Sequence, residues 1–236
     1  GLKVAQAREQ VVADMAQKGM IVKVDDNYVH RIGRCYRCNS VIEPMVTPQW
    51  FVKVDPLARP AVKAVEEDRV KIFPKRFKKT FLTWMANIKD WPISRQIIWG
   101  HRIPAWYVLD GTPQAVVSFV DQDKQIQSGF WKDLKGKFSF DLIKSGLQSL
   151  TVPADTKFYL SENEANEHGQ YVLQETDTFD TWFSSGQWPY STLGWGPDGR
   201  HSPDFEYFYP TTVLDTMWDI LFFWVARMIM MGIYVT

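Results

Sequence analysis

Hydrophobic and polar positions along this chain fall into two periods, and the change from one to the other divides it into predicted elements. In VAQAREQVVADMAQKG, apolar Val4, Ala7, Val11, Val12 and Met15 recur at helical spacing. This predicts a helix with one apolar face, closed by Gly19 as its C′ residue. MIVKV and NYVHRIG are short and rich in β-branched residues, and they flank Asp25-Asp26, which predicts two strands about a turn. VIEPMVTPQWFVKV reads as extended chain broken by Pro44 and Pro48. Helical spacing returns in FKKTFLTWMANIKDW, with Phe77, Phe81, Trp84, Met85 and Ile88 inward, the lysines outward and Pro92 as the stop.

From Tyr107 to about Thr178 the pattern weakens. DQDKQIQSGFWKDLKGKF and SENEANEHGQ are polar and turn-rich, with a helix predicted around Phe140 to Leu147, so a surface insertion is expected there. DTFDTWFSSGQWPYSTLGWG then sets three tryptophans among Gly, Ser and Pro. TTVLDTM predicts a buried strand that feeds a final helix, the order of elements in an α/β fold. The apolar run from Ile220 to Val235 is shorter than the roughly 20 residues of a membrane span, and Arg227 lies inside it. A buried helix is therefore expected, and no membrane partner.

Composition narrows the class without naming it. With 236 residues, 45% of them hydrophobic, the chain has material for a sizeable core. Twenty-seven basic residues balance 27 acidic ones, so no overall basic field points to nucleic acid, and any RNA contact must be local. The two cysteines and the absence of a basic-then-apolar start suggest a cytoplasmic protein without a disulfide scaffold. The sequence opens inside a helical pattern and stops inside an apolar run, which suggests a piece of a larger enzyme.

Three stretches hold candidate chemistry. Cys35 and Cys38 form a CxxC, half of a tetrahedral zinc site, and a structural site needs two further ligands. His30 is near in sequence, and His101, His168 and His201 are distant. The alternatives are a metal-free turn or a half-site completed elsewhere. In DWPISRQIIWGHRIPAWY, Arg95, His101 and Arg102 alternate with Trp91, Trp99 and Trp106. Such alternation suits an RNA end held by phosphate pairing and base stacking, or else a packed connection with solvated arginines. In the last helix, Ile220 and Trp224 share a face beside Asp219, so that they can wall a small apolar cavity with a carboxylate at its polar end. The plainer alternative is that Asp219 complements the helix dipole.

NIKDWPISRQIIWGHRIPAWY, DTFDTWFSSGQWPYSTLGW, FYPTTVL and WDILFFWVARMIMMG, in this order, resemble the valyl-tRNA synthetase family of class I aminoacyl-tRNA synthetases. GLKVAQAREQVVADMAQKGMI and RCNSVIEPMVTPQWFVKVDPLARPAV are similar to the same family at the end of its editing insertion. The isoleucyl enzymes share ISRQ…WG, but DTWFSS followed by WPYSTLGW fits the valyl enzymes better. A non-catalytic RNA-binding module derived from a synthetase is the alternative from another class.

The resemblance implies an α/β fold. It divides the chain into the tail of an editing domain (1–34), a connecting stalk with the CxxC (35–91), and a return into a Rossmann-like nucleotide-binding domain (92–236) interrupted by a variable insertion (about 107–178). It implies activation of valine with ATP and Mg2+, transfer to tRNA(Val), removal of mischarged threonine, and a monomeric parent enzyme. Residue by residue, Trp182, Ile220 and Trp224 match walls of the valine side-chain pocket, and Asp219 matches the acid that receives the substrate ammonium. Arg95, His101 and Arg102 are candidates for tRNA contact, and Cys35 and Cys38 for metal. The HIGH and KMSKS signatures do not occur in this sequence, nor does the acidic motif of the editing site, and Met217 stands where the family usually has Gly.

Overall fold

A computed structural model describes residues 2–36, 38–44, 46–165 and 171–236, which form two compact units, 1–46 and 47–236. His168 lies outside the described residues.

In the first unit, α1 (Val4–Gln17) is the helix that the apolar spacing predicts, and Gly19 closes it at φ 65°. Glycine holds this left-handed conformation without a Cβ penalty. The apolar face is present but none of it is buried. The strands expected in MIVKV and NYVHRIG do not form; pairing is confined to the end of the second, where the Gly33 carbonyl accepts from the Ile42 amide at 3.0 Å beside an isolated antiparallel bridge between Arg34 and Val41. Only the turn is found: the amide of Asn27 donates to Asp25 Oδ1 at 3.1 Å.

The second unit is mixed α and β. It opens with β1 (Phe51–Val52), α2 (Asp55–Glu66), α3 (Arg76–Ala86), β2 (Trp91–Pro92) and β3 (Ser94–Arg95). Helix α2 follows directly on the extended stretch and carries two prolines of its own. Pro56 falls in the first turn, where amides lack helical partners, and Pro60 gives up one internal bond. Burial of Ala58, Ala61, Ala64 and Val65 outweighs that loss. Helix α3 buries Phe81 and Met85 as expected but ends at Ala86 rather than Pro92. Within the expected stalk, Val54, Ala61, Val65, Phe81 and Met85 are buried in the core of this unit.

The segment expected as a surface insertion has its own core. Its elements are β4 (Ala105–Val108), β5 (Val116–Val120), β6 (Ile126–Phe130), α4 (Trp131–Leu134), α5 (Phe140–Ser145), β7 (Leu147–Thr151), β8 (Phe158–Leu160) and β9 (Val172–Gln174). One sheet runs β6-β5-β7 and another β8-β4-β9. Val117, Phe119, Trp131, Ile143 and Leu173 are enclosed between them and the short helices. Its polar runs fall at turns: Asp121 closes a tight hairpin by accepting from the amides of Asp123 and Gln125. The polar residues crowd into that turn while the strands alternate inward and outward.

Next come β10 (Thr178–Phe179), α6 (Thr181–Gly186), α7 (Trp188–Ser191) and α8 (Pro203–Phe208). The strand expected in TTVLDTM is absent, and Val213 and Leu214 are exposed. An apolar run becomes a strand only against a partner strand, and no described strand pairs with this one. Every strand pairing among the described residues is antiparallel.

The final helix is irregular, with a 3-10 turn at Trp218–Ile220, a π turn at Leu221–Val225, and then α9 (Ala226–Val235). Three successive rings are each held by a different neighbour. Phe222 stacks on Trp84, Phe223 stacks on Trp182, and Trp224 Nε1 donates to the Ser185 carbonyl at 3.1 Å. A wider turn accommodates three such anchors in a row. Trp218–Val235, 18 residues with mean hydropathy 1.5, is long and apolar enough to cross a bilayer by length and composition alone. Here its buried side, including Ala226, Met230 and Met231, joins the core that α2 and α3 line.

Candidate functional site

Two elements build the site: α6 and the π turn that leads into α9. They pack on each other, and Gly186 makes the approach close, since a Cβ there would stand 3.0 Å from Met231 Sδ. Trp182, from the first turn of α6, stacks on Phe223 with ring centroids 5.8 Å apart and planes at 28°. Trp224 is half-buried and tied by its indole to α6. Ile220 is half-buried at the junction of the 3-10 and π turns. The structure thus sets Trp182 and Trp224 on two packed elements, with Ile220 at the start of the second.

Asp219 is exposed in the 3-10 turn, and its carboxylate has neither an ion pair nor a hydrogen bond with any described residue. It makes no capping bond either, because the N-cap of that turn is Met217 and carries no side-chain cap. A carboxylate without a described partner, at the start of the helical segment that carries half-buried Trp224, suits an ammonium group with an apolar neighbour. Met217 is exposed, with φ −70° and ψ 145°, a conformation open to any residue.

Behind this pair lies a charge cluster that sequence reasoning missed. Asp180 caps α6, its Oδ1 accepting from the Trp182 amide at 3.3 Å. Its Oδ2 accepts from Trp91 Nε1 at 2.8 Å and pairs with Arg95 Nη2 at 3.0 Å and Arg227 Nη1 at 3.5 Å. The Arg227 guanidinium lies 4.0 Å from the centroid of the Trp91 ring. Burial pulls its pKa below the usual arginine value, and the Asp180 charge opposes that shift. One signal was legible: a lone arginine in an apolar run requires a buried anion nearby.

The aromatic and basic stretch divides. Trp91 is buried, Trp106 is half-buried, and Trp99 is 91% exposed. Arg95 is committed to Asp180 and to the carbonyls of Pro92 and Ser94, whereas His101 and Arg102 are exposed and their side chains bond to no described residue. Gln96 donates to Asp177 Oδ2 at 2.8 Å, and the Phe179 amide donates to the His101 carbonyl at 2.9 Å. The loop between them is pinned at both ends. Asp177 has its pKa raised, chiefly by burial and then by the neighbouring Glu175 charge.

Cys35 and Cys38 sit in a tight turn of the first unit. The Cys35 amide donates to the Ser40 carbonyl at 2.9 Å, and Asn39 adopts φ 56°. Cys38 Sγ lies 3.3 Å from Ser40 Oγ, and hydrogen bonds led by that of the Ser40 hydroxyl lower its pKa to about 7. Among the described residues no three His, Cys, Asp or Glu side chains gather into a metal-binding group. The turn therefore presents two thiols to a metal, two ligands short of a structural zinc site.

Comparison with known proteins shows the family. The model of the family "tRNA synthetases class I (I, L, M and V)" matches residues 4–236. The chain belongs to that class. Within it, the chain is 43% identical to the valine-tRNA ligase of Dehalococcoides mccartyi (strain CBDB1) over 232 residues, 98% of this chain and 21% of that protein. It is 42% identical to the valine-tRNA ligase of Thermotoga maritima over 232 residues, 98% of this chain and 22% of that protein. To that of Symbiobacterium thermophilum it is 42% identical over all 236 residues, 21% of that protein. The chain thus matches a segment of valyl-tRNA synthetase and spans about a fifth of the length of these relatives.

Proposed function

We propose that this chain is the part of a valine-tRNA ligase that forms one side of the amino-acid pocket. The carrying observation is the Asp219 carboxylate, without a partner among the described residues, four positions before Phe223, whose ring stacks on Trp182 of α6. Asp219 receives the valine ammonium, and Trp182, Ile220 and Trp224 flank the branched side chain. With the amino group held, the valine carboxylate attacks the α-phosphate of ATP and pyrophosphate leaves; a 3′-terminal ribose hydroxyl of tRNA(Val) then takes the acyl group from the adenylate, and AMP leaves.

ATP and its Mg2+ are substrates here. The residues of this chain supply orientation and an apolar surround for the amino acid, in a Rossmann-like catalytic domain that an editing insertion interrupts. An apolar pocket rejects threonine poorly, since an added hydroxyl is nearly isosteric, which is why editing accompanies this chemistry. Exposed His101 and Arg102 are the tRNA-facing candidates. We place the parent enzyme in the cytoplasm, as a monomer without a membrane partner. The valine reading is favoured over the isoleucine one by identities of 42–43% to valine-tRNA ligases across nearly the whole chain.

The test is valine-dependent exchange of pyrophosphate into ATP by the full-length enzyme and its Asp219→Asn variant. A charge-assisted bond contributes about 1.5–3 kcal/mol, so exchange should fall by roughly ten- to a hundredfold. Thermal stability should stay near that of the parent, because Asp219 holds no described residue. Unchanged exchange at unchanged stability would refute the ligand role.

A further inference from the structure

Asp180 is only 3% exposed, and it touches both elements of the proposed pocket from behind. Its Oδ1 takes the Trp182 amide, which fixes the first turn of α6. Its Oδ2 pairs with Arg227 of α9, whose guanidinium reaches over Trp91 at 4.0 Å and over Phe223 at 5.8 Å. Phe223 in turn stacks on Trp182. The chain of contacts closes on itself: carboxylate, Trp182 backbone, Trp182 ring, Phe223, Arg227, and the same carboxylate.

The charge count explains why the carboxylate matters. Two guanidiniums, Arg95 and Arg227, share this one buried anion on a single oxygen. Without the anion they repel each other at short range in a site of low dielectric. Arg95 is anchored to two carbonyls of its own segment, so Arg227 is the partner free to yield. Movement of Arg227 carries Phe223 and α9 away from α6.

From this geometry we infer that Asp180 is a positioning residue that fixes the spacing between α6 and the final helix, and so the width of the side-chain pocket. The inference rests on the valine-pocket reading and adds to it a determinant of size selectivity that itself touches no substrate. Loss of the Asp180 charge loosens the wall, so a larger aliphatic amino acid should gain relative to valine. Isoleucine, one methylene longer, is the natural probe.

The experiment measures kcat/KM for valine and for isoleucine in pyrophosphate exchange, using full-length Asp180→Asn, Trp182→Phe and parent enzymes. One methylene accounts for about 10- to 200-fold in discrimination, and Asp180→Asn should reduce the valine-to-isoleucine ratio about tenfold. A residue that only stabilises the fold lowers both values together and leaves the ratio alone, which would overturn the inference. Trp182→Phe tests the underlying reading separately. If it alters the valine KM while Asp180→Asn leaves the ratio unchanged, the pocket stands and the positioning role falls; if it alters neither amino acid's kinetics, the pocket reading itself falls. Should Asp180→Asn yield no folded enzyme, Arg227→Lys reads the same ratio. It keeps the charge but loses the flat contact with Trp91. A fall in the ratio supports the inference, and an unchanged ratio overturns it.

Discussion

Trp50 Nε1 donates to Glu175 Oε2 at 2.9 Å, a bond that spans 125 residues of sequence and lies where two cores meet. The Trp50 ring packs against both the helical core and the core of the 107–178 segment. Glu175 also accepts from Tyr107 Oη at 3.0 Å and from the amides of Thr176 and Asp177. Burial and the Glu175 charge push the Tyr107 hydroxyl well above the ordinary tyrosine pKa, so it remains a donor.

Four donors converge on the two oxygens of Glu175, so Glu175→Gln must turn an NH2 toward at least one of them. Leaving a buried donor unpaired costs about 1–3 kcal/mol, and Glu175→Gln should lower the melting temperature of the chain, or of the enzyme that contains it, accordingly. Trp50→Phe keeps most of the apolar area and removes one donor, so its loss should be smaller. A melting temperature unaltered by Glu175→Gln would show that the four bonds contribute nothing net.

Arg95 and Arg102 should behave differently despite their nearness in sequence. Arg95→Ala uncovers part of the buried Asp180 charge and should depress adenylate formation, transfer and thermal stability together. Arg102→Ala and His101→Ala remove exposed groups without side-chain partners among the described residues, and should slow transfer to tRNA more than adenylate formation. Single-turnover measurement of the two half-reactions separates these cases. Equal loss in both steps for Arg102→Ala would contradict tRNA contact there.

Cys38 should react with iodoacetamide at a rate that rises through about pH 7, because the thiolate is the nucleophile and the Ser40 hydroxyl stabilises it. The sign follows from the lowered pKa: thiolate predominates above that value and is lost below it. Ser40→Ala should move the midpoint upward, toward the ordinary thiol range. Alkylation followed by mass spectrometry across pH checks both statements. With only two thiols gathered, zinc uptake by the isolated chain should be weak and substoichiometric.

How much of this was readable from residues alone depends on whether the relevant interaction was local. Helix α1 with its Gly19 terminator, the inward set of α3 and the small helix at Phe140 all follow from periodicity, capping and turn chemistry within a few residues. Family membership was legible for a related reason, since collinear motifs from Gly1 to Gly232 carry it without reference to contacts. The sequence also set Asp219, Ile220 and Trp224 close together, because they lie within one or two turns of the same helix.

Long-range partnership decided the rest. MIVKV, NYVHRIG and TTVLDTM have strand-like composition, but a strand needs a hydrogen-bonding edge, which only tertiary structure supplies. Conversely, α2 forms against the grain of its prolines because α9 offers an apolar surface more than 150 residues away. The same holds for the site. No spacing rule joins Trp91, Arg95, Asp180 and Arg227, yet burial of one carboxylate requires cations and donors close by, and the fold brings them from three separate segments. Sequence determined which residues were able to meet a substrate, whereas the three-dimensional packing decided which cations were already taken and which carboxylate was left free.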